Sequence, residues 1–216
     1  ARARRYSQPL YLVPRDTLCR SQLAGLAGVD PADPLFGGVV PHAFVATKAI
    51  THPLPRPDAA APKGWSEDFG RRVAPVVLRG FTAFDHESAL AAGRTLLRSG
   101  AVRIKRVCAT GGQGQTVAAD LEGLHAVLDT LPAQELATEG VVLEENLEAL
   151  RTWGIGQSRL GASTISYYGV QRMVRNHHGE QVYGGSDLSV VRGGFDALLR
   201  QPLPRGVRLA VRLALC

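Results

Sequence analysis

No run in this 216-residue chain approaches the roughly 20 apolar residues that a bilayer-spanning helix needs, so an integral helical membrane protein is excluded. Cysteine is scarce. Cys19, Cys108 and Cys216 are odd in number and widely spaced, which excludes a disulfide framework and a zinc knuckle and fits a reducing cytoplasm. Lysine is nearly absent: 22 of the 25 basic residues are Arg, a bias that coding-base composition explains as readily as a binding partner does. With 19 acidic residues the net charge is +6, which permits nucleic acid without implying it. The common catalytic signatures are missing as well, since the chain contains neither G-x-S-x-G nor H-E-x-x-H. It also lacks an initiator Met and stops inside the apolar run Leu213 to Cys216, so it reads as a fragment truncated at its C-terminus.

What is present is ordinary globular composition, 45% hydrophobic and 20% charged, with glycine raised to 24 residues. Nine of the 13 prolines fall in residues 1–62, and four lie in the stretch Pro53 to Pro62, an extended connector that sustains neither a helix nor a central strand. Residues 1–62 therefore read as an N-terminal lobe or arm. Residues 63–150 are regular. Ser66 is expected to cap a short helix closed by Pro75, Val76 to Leu78 to form a strand, and Asp85 or Ser88 to cap a helix reaching Arg98. A strand over 101–107, a short strand at Val117, a helix capped by Asp120 and a buried strand at Val141 to Leu143 complete this part. Residues 151–216 switch to strand period: Trp153 to Leu160, Ser163 to Val174, Gln181 to Tyr183 and Leu188 to Val191 read as an antiparallel meander broken by Gly184-Gly185. A helix start follows at Gly194 to Arg200, and Arg208 to Leu215 fits either a strand or a helix.

The sharpest chemical feature is Lys105 on a strand leading into Thr110-Gly111-Gly112-Gln113-Gly114-Gln115. Three glycines in four positions let backbone N–H groups converge on an anion, and a Lys beside them can meet a phosphate as a point charge. A glycine-rich hairpin with a solvated Lys is the plainer reading. The loop is no Walker A, because no Lys-Ser/Thr follows Gly114, and no G-x-G-x-x-G fingerprint is present. The second feature is the strand that ends in Glu144-Glu145-Asn146-Leu147-Glu148. Its backbone and acids can read adenine and ribose, or simply form a solvated acidic turn.

Taken together, helix, Lys strand, glycine loop, short strand, helix and a strand ending in Glu-x-x-Leu resemble the nucleotide-binding lobe of the ATP-grasp superfamily. The segment Gly80-Phe81-Thr82-Ala83-Phe84 is similar to that superfamily's entry strand, and residues 152–191 to the sheet of its second lobe. The wording of FTAF, ATGGQGQT, LEENLE and YYGVQR is closest to an uncharacterised bacterial branch catalogued as a domain of unknown function. The resemblance covers roughly residues 56–200 and implies a mixed α/β (α+β), two-lobed ATP-grasp-like fold. It implies ATP and Mg²⁺ as cofactors, and ATP-dependent ligation of a small carboxylate to an amine or thiol through an acylphosphate. Residue by residue, Lys105 resembles the lysine on the α- and β-phosphates. Gly111, Gly112 and Gly114 resemble the closing loop, Glu144, Glu145 and Leu147 the adenine and ribose edge, and Glu148 a second ribose acid. A further basic residue before the entry strand is usual, with Lys63, Arg71 and Arg72 as candidates.

The chain departs from the superfamily where its metal ligands are expected. After residue 187 only Asp187 and Asp196 are acidic, and neither has a Glu-x-Asn partner, so the metal ligands are unknown. Arg172, alternating with Tyr167, Tyr168, Gln171 and Arg175, and Asp187 after Tyr183-Gly184-Gly185-Ser186 are the candidate catalytic residues on the substrate side. His177-His178 reads as a surface turn. The alternatives are a non-catalytic nucleotide-binding module, and a basic nucleic-acid or protein-interaction domain resting on Arg200, Arg205, Arg208 and Arg212 with the stacking pair Tyr167 and Tyr168. Nucleic acid is disfavoured, no membrane is involved, and the oligomeric state is open.

Overall fold

The computed structural model describes residues 11–23, 35–109, 114–148, 152–175, 177, 179 and 181–215. Near the start, two-residue strands β1 (Leu18–Cys19) and β2 (Val39–Val40) pair in parallel on either side of the short helix α1 (Arg20–Leu23). Two 3₁₀ turns follow, Ala43–Ala46 and Lys48–Thr51, and then the helix α2 (Asp68–Val73). The N-cap is Glu67 rather than the expected Ser66, which lies one residue earlier and accepts the Asp68 N–H on its hydroxyl at 3.2 Å. The expected strand at Val76 to Leu78 does not form. The Val73 carbonyl accepts N–H bonds from both Val76 and Val77 (2.8 and 3.1 Å), which folds this apolar run into a turn.

The central element is a four-stranded antiparallel sheet of β3 (Gly80–Ala83), β4 (Val102–Arg106), β5 (Gln115–Ala118) and β6 (Val141–Glu145), in the spatial order β3-β6-β4-β5. Helices α3 (His86–Leu97), α4 (Leu121–Leu128) and α5 (Ala133–Thr138) connect the strands. Asp85 and Asp120 cap α3 and α4 by accepting the N–H groups of Ser88 and Gly123 at 2.7 and 2.8 Å, as their sequence positions imply. Strand alternation sends Ala83, Val102, Ile104, Val141 and Leu143 to one face, where they bury against Ala89, Ala92, Leu96, Leu124 and Leu128. Helix α5 carries no clear amphipathic period and is announced only by Pro132.

The second sheet is a meander of β7 (Trp153–Leu160), β8 (Ser163–Arg175) and β9 (Gln181–Arg192), backed by α6 (Phe195–Leu199) and α7 (Arg205–Leu213). One expectation changes here, and one open choice is decided. Gly184-Gly185 does not end a strand: β9 runs through it, and the extra residue is absorbed as a register shift opposite Arg172 and Met173. The last segment is a helix, because Val207 and Val211, four apart, bury with Leu198 against Trp153 and Tyr168. The fold is thus mixed α+β with several sheets.

Leu143 is fully buried on β6, the strand held between β3 and β4. Leu143→Ala should therefore destabilise the chain by about 2–5 kcal/mol, read from the urea midpoint at unchanged slope.

Candidate functional site

The face of the first sheet away from α3 and α4 is polar. Alternation places Thr82 of β3, Lys105 of β4, and Val142 and Glu144 of β6 on it. Residues 47–53 lie across these strands. The buried Thr82 hydroxyl donates to the Ala49 carbonyl (2.6 Å), and the Thr82 N–H donates to the Pro53 carbonyl (2.9 Å). Thr47 sets the second 3₁₀ turn by accepting the Ala49 N–H at 3.1 Å, and Phe44 and Ala49 pack with Phe84, Val107 and Val142. Gly80 makes the close approach possible: a Cβ there would stand 2.6 Å from both the His52 ring and the Leu143 carbonyl.

This docking assembles four ionisable groups. Lys105 and Glu144 form a direct ion pair, with the carboxylate only 7% exposed and the ammonium 22%. His52 Nε2 lies 3.9 Å from the other Glu144 oxygen and 3.0 Å from the Leu78 carbonyl, and its Nδ1 meets the Thr51 hydroxyl at 2.7 Å. Burial pushes the His52 pKa below that of a free imidazole, although the Leu78 carbonyl and Glu144 oppose the shift. Lys48 reaches the same place from the 3₁₀ turn. Its ammonium makes long bonds to the carbonyls of Arg106 and Ala109 (3.4 and 3.3 Å). Burial first, and then the charge of Lys105, lower its pKa.

The described stem of the glycine loop adjoins this cluster, with the Ala109 carbonyl accepting from Lys48. Gly111 and Gly112 lie outside the described residues. Gly114 closes the loop in the left-handed region (φ 63°), and its carbonyl accepts the Arg106 N–H at 2.9 Å. On the outer side of the stem Arg106 forms a bidentate pair with Glu135 of α5. Cys108 sits beside it, with its thiol pushed up to about 11 by partial burial, a hydrogen bond to Glu139, and the charges of Glu139 and Glu135. A thiol so strongly protonated is a poor nucleophile.

Glu145 is half-buried at the end of β6, and Leu147 and Glu148 beyond it are exposed. The backbone N–H groups of Glu145 and Asn146 are already bonded to Arg79 and Ala101 (3.0 Å each). Arg172 and Asp187 are brought together as an exposed ion pair at 3.2 Å on β8 and β9, sharing no member with the Lys105 cluster. Lys63 is exposed, and Arg71 is engaged within α2 by Glu67 and Asp68. The residues that sequence reading overlooked are Lys48 and His52, of which Lys48 is the more remote from any recognisable pattern. It precedes the proline-rich connector, where nothing in local pattern ties it to a loop beyond residue 105. Among the described residues no group of three or more His, Cys, Asp or Glu is placed to hold a metal ion, and no helix is long and apolar enough to cross a membrane.

Fold and cluster together define a mixed α+β protein with a net-cationic cluster at the foot of a glycine loop. Over residues 1–216 the chain matches the family described as "Protein of unknown function (DUF3182)", and it belongs to that family. No curated protein matches it.

Two outcomes follow from this geometry. Gly80→Ala should lose about 1–3 kcal/mol in urea unfolding, because the new methyl meets a backbone carbonyl that cannot yield cheaply. Cys108, despite its exposure, should alkylate with iodoacetamide about ten-fold more slowly than an ordinary cysteine near pH 8, followed by peptide mass spectrometry. Glu139→Gln should accelerate that reaction.

Proposed function

We propose that the protein binds ATP on the polar face of the first sheet, with its phosphates toward Lys48 and Lys105 beneath the glycine loop. One observation carries this reading. The chain contains only three lysines, Lys48, Lys63 and Lys105, and two of them meet at the foot of that loop although they are remote in sequence. Two compact ammonium groups against a single carboxylate leave a net positive charge, which suits a polyphosphate. The donor set therefore fits the triphosphate. Leu147 and Glu148, exposed just past β6, are available to adenine and ribose.

The ATP-grasp-like reading accounts for the order of elements from β3 to β6, and it makes the meander the second lobe of a two-lobed fold. When bound, ATP would supply a γ-phosphoryl group to a small carboxylate in a ligase-type reaction. In that chemistry Lys48 and Lys105 hold phosphate charge, Gly114 lets the loop fold back, and Arg172 with Asp187 orients the carboxylate partner. The described residues offer no carboxylate cluster for Mg²⁺, so no step is assigned to a metal. A cytoplasmic setting, in which Cys108 stays a thiol, accords with this chemistry. The nucleic-acid alternative is weakened because Arg208 is committed internally, donating to the carbonyls of Leu199 and Gln201 (2.6 and 2.9 Å).

Calorimetric titration of the folded chain with Mg-ATP is the test. Lys105→Ala and Lys48→Ala should each weaken binding by about 1–3 kcal/mol, while Lys63→Ala should change it by less than about 0.5 kcal/mol. Absence of binding by the wild-type chain, or equal affinity in all three variants, would sink the proposal.

A further inference from the structure

Filling every contact around His52 at once takes one more hydrogen than a neutral ring supplies. Three short links run in series: Leu78 carbonyl to Nε2 (3.0 Å), Nδ1 to the Thr51 hydroxyl (2.7 Å), and that hydroxyl to the Lys48 carbonyl (2.7 Å). Both ends are carbonyls, which only accept, and the hydroxyl carries one hydrogen. Filling all three links therefore takes two ring hydrogens, that is, an imidazolium. With a neutral ring, Nε2–H still serves Leu78, but Thr51 must then choose between Nδ1 and the Lys48 carbonyl.

The charges facing the ring determine what the second proton does. From β6 comes Glu144 at 3.9 Å, from β4 Lys105 paired to that same carboxylate, and from the 3₁₀ turn Lys48. From α2, Gly70 lies against the His52 backbone, while Glu67 of the preceding cap is engaged by the Leu54 N–H at 2.9 Å and by Arg71. β3 contributes only Gly80. Arg103, opposite Glu144 on β4, is taken up by Gln115 and Asn146, so among the described residues Glu144 is the anion shared by Lys105 in direct contact, Lys48 at longer range and protonated His52. We infer that His52 is a proton-operated switch on Glu144, which holds Lys105 while the ring is neutral and releases Lys105 toward a bound anion when the ring is protonated.

The inference builds on the anion-binding reading above and makes it pH-dependent. Burial keeps the imidazolium from forming until the pH falls below about 6.5, the ordinary histidine value, so anion affinity should rise on acidification through that window. Sulfate is the suitable probe because it remains a dianion throughout. Its affinity for the full chain should increase about ten-fold between about pH 8 and about pH 5, with the midpoint at which the His52 imidazole signals titrate in ¹H–¹⁵N spectra. His52→Gln should flatten the dependence. Thr51→Val, which keeps the ring and removes the acceptor for Nδ1–H, should move both midpoints downward together, which a merely structural role of His52 would not do. An imidazole that does not titrate in this range overturns the inference, as does absence of sulfate binding, or a pH dependence that His52→Gln retains. Sulfate affinity that follows His52 while Mg-ATP fails to bind at any pH would keep the switch and remove the nucleotide assignment.

Discussion

The polar face of the first sheet is organised by one carboxylate. Glu144 is placed on a central strand with its side chain almost wholly out of water, a position that a carboxylate occupies only when cations and hydrogen-bond donors surround it. Lys105 supplies the contact charge from the neighbouring strand, diagonally across the ladder. The opposite face of the same strands carries the aliphatic contacts with α3 and α4, so the sheet is apolar on its helix side, while the side covered by residues 47–53 sets the charged cluster beside a smaller apolar one around Phe44, Ala49 and Val142. That cover keeps water from Glu144, and it also brings Lys48 and His52 to the carboxylate.

A buried ion pair is weak evidence of stability, since desolvation of both charges offsets much of their attraction. Here the apolar face contributes the larger share: Leu124, Leu128 and Leu143 are fully buried, at roughly 1.5–3 kcal/mol for each such side chain removed from water. The polar cluster's effect is geometric. Glu144 orders Lys105, the carbonyls of Arg106 and Ala109 order Lys48, and the loop stem is held on its far side by Arg106 and Glu135. The loop therefore leaves a rigid base.

Local signals made most of the first sheet legible. The caps Asp85 and Asp120, the alternation of Val102 and Ile104, and the apolar run Val141 to Leu143 each act over a few residues and survive into the structure. The readings that changed depended on distant partners. Val76 to Leu78 has strand composition, but β6 pairs with Gly80 to Ala83 instead. Gly184-Gly185 reads as a break until β8 supplies the ladder that carries the chain through a bulge. Within the site, Lys105 and Glu144 stood out because each adjoins a recognisable pattern. Lys48 and His52 did not, because a segment preceding a proline-rich connector reveals nothing about the strand face it will cover. Arg172 and Asp187 do meet, although as an exposed pair apart from the Lys105 cluster.

The charge balance of the cluster bears directly on what it can hold. Lys48 and Lys105 are close enough for each ammonium to disfavour the other, and Glu144 is in contact with only one of them. The second is met by two carbonyl oxygens at 3.3 to 3.4 Å, longer than the usual charge-assisted bond of about 2.7–2.9 Å. Partial burial lowers the proton affinity of Lys48, and the charge of Lys105 lowers it further. An anion placed between the two lysines would favour the charged form of Lys48 and offset the repulsion that Glu144 only half neutralises. In the proposed anion-binding reading a neutral ligand of the same shape would do neither, so selection there would be by charge before fit.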